Sequence, residues 1–175
     1  MRCRKLKIVG VALALTFVWF CIRFPYEMLA VAEKIFGSPN QVDPLTLHLH
    51  GEFVESNLGT AVEPDGSVTV RLIAQQFNFV PECVVVPEGT RVRFRLTSAD
   101  FVHRFSISGT DHSLEVVPGH VSESQFQFAK AGQYKTPCHE FCGAGHYDMR
   151  SRVLVVTRDR FVNPKPQERL GCAFP

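Results

Sequence analysis

Between Pro137 and Met149 the chain carries two thiols, an imidazole and a thioether in the spacing Cys138-x3-Cys142-x3-His146-x2-Met149. These are soft and borderline donors, the set that favours copper over magnesium or calcium. Gly143 and Gly145 let the backbone between them fold tightly round a small object. Three chemistries fit. A structural zinc site would use Cys138, Cys142, His146 and a fourth ligand, leaving Met149 idle. A Cys138–Cys142 disulfide would make the regularly spaced His and Met a coincidence. Copper uses every member, with thiolates and imidazole as strong ligands and Met149 as the weak axial one.

Such a loop needs a rigid frame and a partner from elsewhere in the chain. After the turn Pro64-Asp65-Gly66, Val68, Val70 and Leu72 alternate with Thr69 and Arg71, which predicts a half-buried strand. Val84 to Val86, bounded by prolines, reads as a short strand at an edge or bulge. In the next strand Val92, Phe94 and Leu96 point one way, and Arg91, Arg93 and Arg95 form what reads as a solvated face. Phe105 and Ile107 share parity with His103, placing that imidazole on an apolar face at a strand start. Leu114–Val117 and Val121–Phe128 supply two further strands, Ala131-Gly132-Gln133-Tyr134 leads into the cysteine loop, and Arg152–Val156 closes the domain. Short strands spaced by turns, without helical periodicity, predict a mainly β Greek-key sandwich or barrel. In that fold an early-strand His103 and a late loop meet at one end of the sheets.

The remainder of the chain suggests where this happens. Arg2, Arg4, Lys5 and Lys7 precede an uncharged run from Ile8 to Ile22, which as helix spans ~23 Å at ~1.5 Å per residue. That is close to the roughly 30 Å of a hydrocarbon core, so the expectation is an N-terminal single-pass transmembrane helix. The competing reading is a signal peptide cut near Ala30-Val31-Ala32. Either sends the rest out of the cytoplasm, since the positive charges stay inside. The expected layout is an anchor over 1–36, a linker over 37–67, a metal domain over 68–157 and a tail over 158–175. In the linker Phe53 and Val54 are expected on the domain surface, and His48 and His50 as solvated rather than metal-bound. A net charge of +2 is too small to imply nucleic-acid binding, and no nucleic-acid partner is expected. Of six cysteines, only Cys138 and Cys142 have metal-like spacing; the others read as scattered buried thiols, with a Cys83–Cys172 pairing left open outside the cytoplasm.

Asp100-Phe-Val-His103, Pro118-Gly119, Phe126, Gly132-x-Tyr134 and Cys138-x-Glu140-x-Cys142-Gly-x-x-His146-x-x-Met149 together resemble the CuA domain of cytochrome c oxidase subunit II. The single N-terminal helix is similar to the B-type, ba3-like haem–copper oxidases. The resemblance implies a cupredoxin fold and a binuclear copper centre. Cys138 and Cys142 would bridge the coppers, His103 and His146 would each bind one, and Met149 and the Glu140 carbonyl would be weak outer ligands. It also implies electron entry from a cytochrome c or small copper protein, and transfer to haem in subunit I for oxygen reduction. The localisation implied is a bacterial inner membrane with the CuA domain on the periplasmic side. The Glu140 carboxylate is a candidate for magnesium at the subunit I interface. The family's Trp-rich electron-entry segment is replaced by Gln75-Gln76-Phe77-Asn78-Phe79, in which Phe77 and Phe79 read equally well as donor contacts or core. The alternatives are a CuA domain of the nitrous oxide reductase type and a membrane-tethered copper-binding assembly factor.

Overall fold

The computed structural model describes residues 16–25, 27–28, 40–165 and 172, which fall into two units, 1–39 and 40–175. In the first unit 16–25 is helical, with Phe17, Trp19, Phe20, Ile22 and Phe24 exposed. Arg23 pairs with Glu27 at 3.1 Å. Among the described residues no helix is long and apolar enough to cross a membrane. The beginning of the expected anchor, its positive flank and the Ala30–Ala32 cleavage motif lie outside the described residues, as do 166–171 and 173–175 of the tail.

The second unit is built of strands. In chain order these are β1 (Gly59–Val62), β2 (Val68–Gln75), β3 (Asn78–Val80), β4 (Cys83–Pro87), β5 (Arg91–Ser98), β6 (His103–Ser106), β7 (Ser113–Val116), β8 (Ser122–Gln127), β9 (Gly132–Pro137) and β10 (Arg150–Val156). One sheet runs β1-β2-β5-β8, with β3 also on β2; the second runs β4-β10-β9; β6 and β7 form a separate antiparallel pair. The β2–β5 and β4–β10 pairings are parallel, so the chain crosses between sheets rather than meandering. β4 is an edge strand, as its flanking prolines predict.

Inward residues of both sheets make the core: Val70, Leu72, Val92, Phe94, Leu96, Val153 and Val155, with Phe79, Phe105 and Phe128. Phe79 meets Phe105 edge-on at 5.3 Å between ring centres. Each such ring contributes about 1.5–3 kcal/mol by leaving water. Cys138, Cys142 and Met149 belong to this same cluster. The candidate ligands are therefore set into the core wall.

Three expectations need correction. Residues 40–67 are not a loose linker. Leu47, Phe53 and Leu58 pack with Ile73 and Val121 on the other face of β2, and β1 pairs with β2. Phe53 is 1% exposed, not a surface residue. Few apolar residues and frequent turn formers hide this packing from periodicity, because an irregular cover has none. The arginine row is solvated only in part: Arg91 is exposed, whereas the Arg95 side chain is 15% exposed. Arg95 reaches both carboxylate oxygens of Glu52, with Nη2 at 2.8 Å, and also pairs with Glu123. Arg71 holds Glu52 at 3.1 Å and Glu63 at 2.7 Å. Glu52, carried by the cover, draws the arginines into a half-buried network. The third concerns Cys83 and Cys172, which are joined in a disulfide with a Cα–Cα distance of 5.5 Å. Neither is a scattered thiol. His48 and His50 are exposed, as expected.

Candidate metal centre

Three segments converge at one end of the sandwich. β6 begins at His103, β9 ends at Pro137 and delivers Cys138, and a short 3-10 turn (His146–Asp148) brings the chain to Met149 before β10. Backbone bonds close the base of the loop: Cys138 N–H donates to the Met149 carbonyl at 3.0 Å, and His139 N–H to the Arg104 carbonyl at 2.9 Å. Within the loop His146 N–H reaches the Gly143 carbonyl at 3.1 Å. The ends of the loop are thus pinned to β6 and to each other.

The donors fall into two halves. In one, Cys138 Sγ lies 3.9 Å from His103 Nδ1 and 3.2 Å from the Glu140 carbonyl oxygen. In the other, Cys142 Sγ lies 3.7 Å from His146 Nδ1 and 3.5 Å from Met149 Sδ. The ligand atoms of His103, Cys138 and Cys142 lie within 4.8 Å of one another. Two donors each roughly 2.0–2.3 Å from one ion, at a tetrahedral-like angle, stand about 3.3–3.8 Å apart. The Cys142–His146 separation of 3.7 Å falls in that range, and the Cys138–His103 separation of 3.9 Å lies just above it. Both thiols are free. The donor set fits a soft or borderline metal, and all six residues read from the sequence are brought together.

Burial and charge prepare the site. His103 is 0% exposed, and Cys138, Cys142 and Met149 are buried. Burial works against a charged His103, but Cys138 and Asp100 outweigh it and raise its pKa. Burial likewise opposes a Cys138 thiolate, yet hydrogen bonding from His103 and backbone groups lowers its pKa to about 6. Cys142 goes the other way, pushed up to about 11 by burial and by the charge of Cys138. The metal-free site thus favours one thiolate, at Cys138, beside a His103 shifted toward its protonated form. Metal binding displaces both protons and gives the second thiolate a reason to form.

The residues that support the ligands were not assigned from sequence. Asp100 Oδ1 lies 2.7 Å from His103 Nε2, fixing the ring so that Nδ1 faces the thiols. Asp100 stands in the motif Asp100-Phe-Val-His103, three residues before the ligand, and that spacing is its signal in the sequence. The Glu140 carboxylate stands 3.7 Å from Arg104. Phe79 is core, whereas Phe77 is 38% exposed beside the loop. Phe101, Phe141 and Tyr147 are exposed nearby in sequence to the ligands.

A family model described as cytochrome c oxidase subunit II, periplasmic domain, matches residues 67–156. Cytochrome c oxidase subunit 2 of Thermus thermophilus is 32% identical over 119 residues, covering 68% of this chain and 88% of its own. The probable cytochrome c oxidase subunit 2 of Rickettsia bellii is 36% identical over 80 residues, 46% of this chain and 30% of that protein. A chain from the cryo-EM structure of a heme-copper terminal oxidase dimer superposes with a TM-score of 0.50 and 25% identity, covering 82% of this chain and 97% of that one.

Proposed function

The chain belongs to the cytochrome c oxidase subunit II family, and on that premise we propose that it is the electron-entry subunit of its complex, holding a binuclear CuA centre. As subunit II it is one component of an oxidoreductase complex, a haem–copper oxidase, and its partner is subunit I. It is a copper-binding cupredoxin domain, placed outside the cytoplasm in a membrane complex. The finer reading is a single-pass protein of a bacterial inner membrane.

The observation that carries the proposal is the pairing of each thiol with its own imidazole, at 3.9 Å and 3.7 Å, with His103, Cys138 and Cys142 buried and His146 half-buried. Cys138 and Cys142 are the candidate bridges, His103 and His146 the terminal ligands, and Met149 and the Glu140 carbonyl the weak ones. Bound there, a thiolate-bridged copper pair supplies a one-electron acceptor whose unpaired electron is shared by both metals. The residues themselves limit rearrangement. Asp100 fixes the His103 ring, the Cys138–Met149 backbone bond fixes the loop ends, and the aromatic core leaves the cysteines little room to shift.

The donor proposed is a cytochrome c or small copper protein. Phe77, Phe101, Phe141 and Tyr147 offer exposed apolar surface near the ligands, and Arg104 and Arg150 leave the region without a strong acidic field. The Glu140 carboxylate is the candidate magnesium ligand at the subunit I face, where a cation would have to compete with Arg104.

The test is to purify the full chain in detergent, load it with copper, and measure metal content with the electron paramagnetic resonance spectrum. Two coppers per chain, with hyperfine structure from one electron shared between two nuclei, is the expected result. A single copper, or zinc retained in preference to copper, overturns the binuclear reading.

A further inference from the structure

The segment between β2 and β3 touches both halves of the candidate centre. Gln76 is the first residue after β2, 66 residues before Cys142 in sequence. Its side-chain Nε2 donates to the Cys142 carbonyl oxygen. Its backbone N–H donates to Asp100 Oδ2 at 2.7 Å, while the other oxygen of that carboxylate holds His103 Nε2 at 2.7 Å. Asp100 is in turn fixed by Phe101 N–H at 2.6 Å and by Ser98, whose Oγ accepts from Asp100 N–H at 3.2 Å. One residue thus bonds the Cys142 turn through its side chain and the His103 support through its main chain.

The loop is shaped to receive this contact. A Cβ at Gly143 would sit 2.7 Å from Gln76 Nε2 and 3.0 Å from the Phe77 ring, and one at Gly145 would sit 2.5 Å from that ring. Gly143 also has φ +135°, which side-chain-bearing residues rarely adopt. The two glycines of Cys142-Gly-Ala-Gly-His146 therefore provide clearance for Gln76 and Phe77, beyond any tight turn round a metal.

We infer that Gln76 is a positioning residue for the metal centre, clamping the Cys142–His146 turn with its side chain while its main chain braces the Asp100–His103 pair. The inference rests on the copper reading above. It assigns the two functions of Gln76 to different atoms, so substitution of the side chain releases only one half. Loss of the amide frees the Cys142 carbonyl and lets the turn relax away from β2. The Asp100 contact survives, because every residue but proline keeps the backbone N–H.

The experiment compares the copper-loaded full chain with its Gln76→Met variant, which matches the length of glutamine and lacks the donor. Paramagnetically shifted proton resonances are read for all four strong ligands, together with the rate of copper release to a chelator. The signals of Cys142 and His146 should move while those of Cys138 and His103 stay. Release should accelerate roughly two- to tenfold, the range that one net hydrogen bond supplies. Unmoved Cys142 signals, or equal displacement at all four ligands, overturn the clamp. Should Gln76→Met fail to fold, Gln76→Asn carries the same expectation, since its amide is one methylene short of the Cys142 carbonyl. Failure of the unsubstituted chain to bind a copper pair would remove the premise and is seen separately, before any variant is compared.

Discussion

Two regions of this domain concentrate chemically capable side chains, and they are built on opposite rules. On the outer face of β2 and β5, Glu52, Glu63 and Glu123 meet Arg71, Arg93 and Arg95, and each acid faces a base. At the end of the sandwich, His103, Cys138, Cys142, His146 and Met149 face one another. That second group holds mutually repelling or weakly interacting donors with no opposing cation among the described residues other than a protonated imidazole. The first cluster is complete in itself and its product is stability. The second is complete only with a metal, and its cost is borne by the fold around it. Density of charge marks architecture here; shared donor character marks function.

Breaking the contrast at the metal end has the largest expected effect. Cys142→Ser removes one of the two bridging thiolates, so copper should fall from two per chain to one or none and the shared-electron spectrum should vanish. The fold should survive, because the sheets do not depend on that sulfur; near-native circular dichroism beside absent copper checks this. Breaking the other end should do the reverse. Glu52→Gln removes the charge shared by Arg71 and Arg95, leaving them only Glu63 and Glu123, and their side chains are only 13% and 15% exposed. Fully buried pairs lose more, so with this partial exposure about 2 kcal/mol of unfolding free energy is expected, with the copper spectrum unchanged.

The pH dependence sharpens the same point. Burial opposes ionised Glu52, but hydrogen bonds and charge from Arg95 and Arg71 outweigh it and lower its pKa from 4.5. The depressed value means its contribution is complete above pH 4.5 and is lost as pH falls through the lower folded value. Denaturant titrations should show Glu52→Gln with a shallower acid limb than the unsubstituted chain. The smallest effect belongs to Met149→Leu. This volume-conserving change should cost less than about 1.5 kcal/mol, retain both coppers, and shift the reduction potential in protein-film voltammetry. An unchanged potential would remove Met149 from the ligand set.

The same contrast explains what could be read from sequence. Cys138, Cys142, His146 and Met149 are neighbours in the chain, so spacing alone grouped them, and strand parity put His103 on the right face. The fold class followed from alternating short strands. Glu52, in contrast, lies 43 residues from Arg95, and Gln76 lies 66 from Cys142. Those partners meet only through sheet topology, which periodicity does not encode. Arg95 looked solvated because Glu52, which draws it in, sits on an irregular cover with no pattern of its own. Asp100 lay in plain view beside His103; its role needed the geometry of the ring.

The bond between Cys83 and Cys172 spans 89 residues and so closes a covalent ring that runs from β4 to beyond β10. His103, Cys138, Glu140, Cys142, His146 and Met149 all lie inside that ring. An opened, metal-free chain therefore cannot disperse its ligands as a linear polymer would, and closing a loop of this size disfavours the opened ensemble by roughly 4.5 kcal/mol in the chain-entropy account. Refolding round the metal begins from a chain whose far ends have already met.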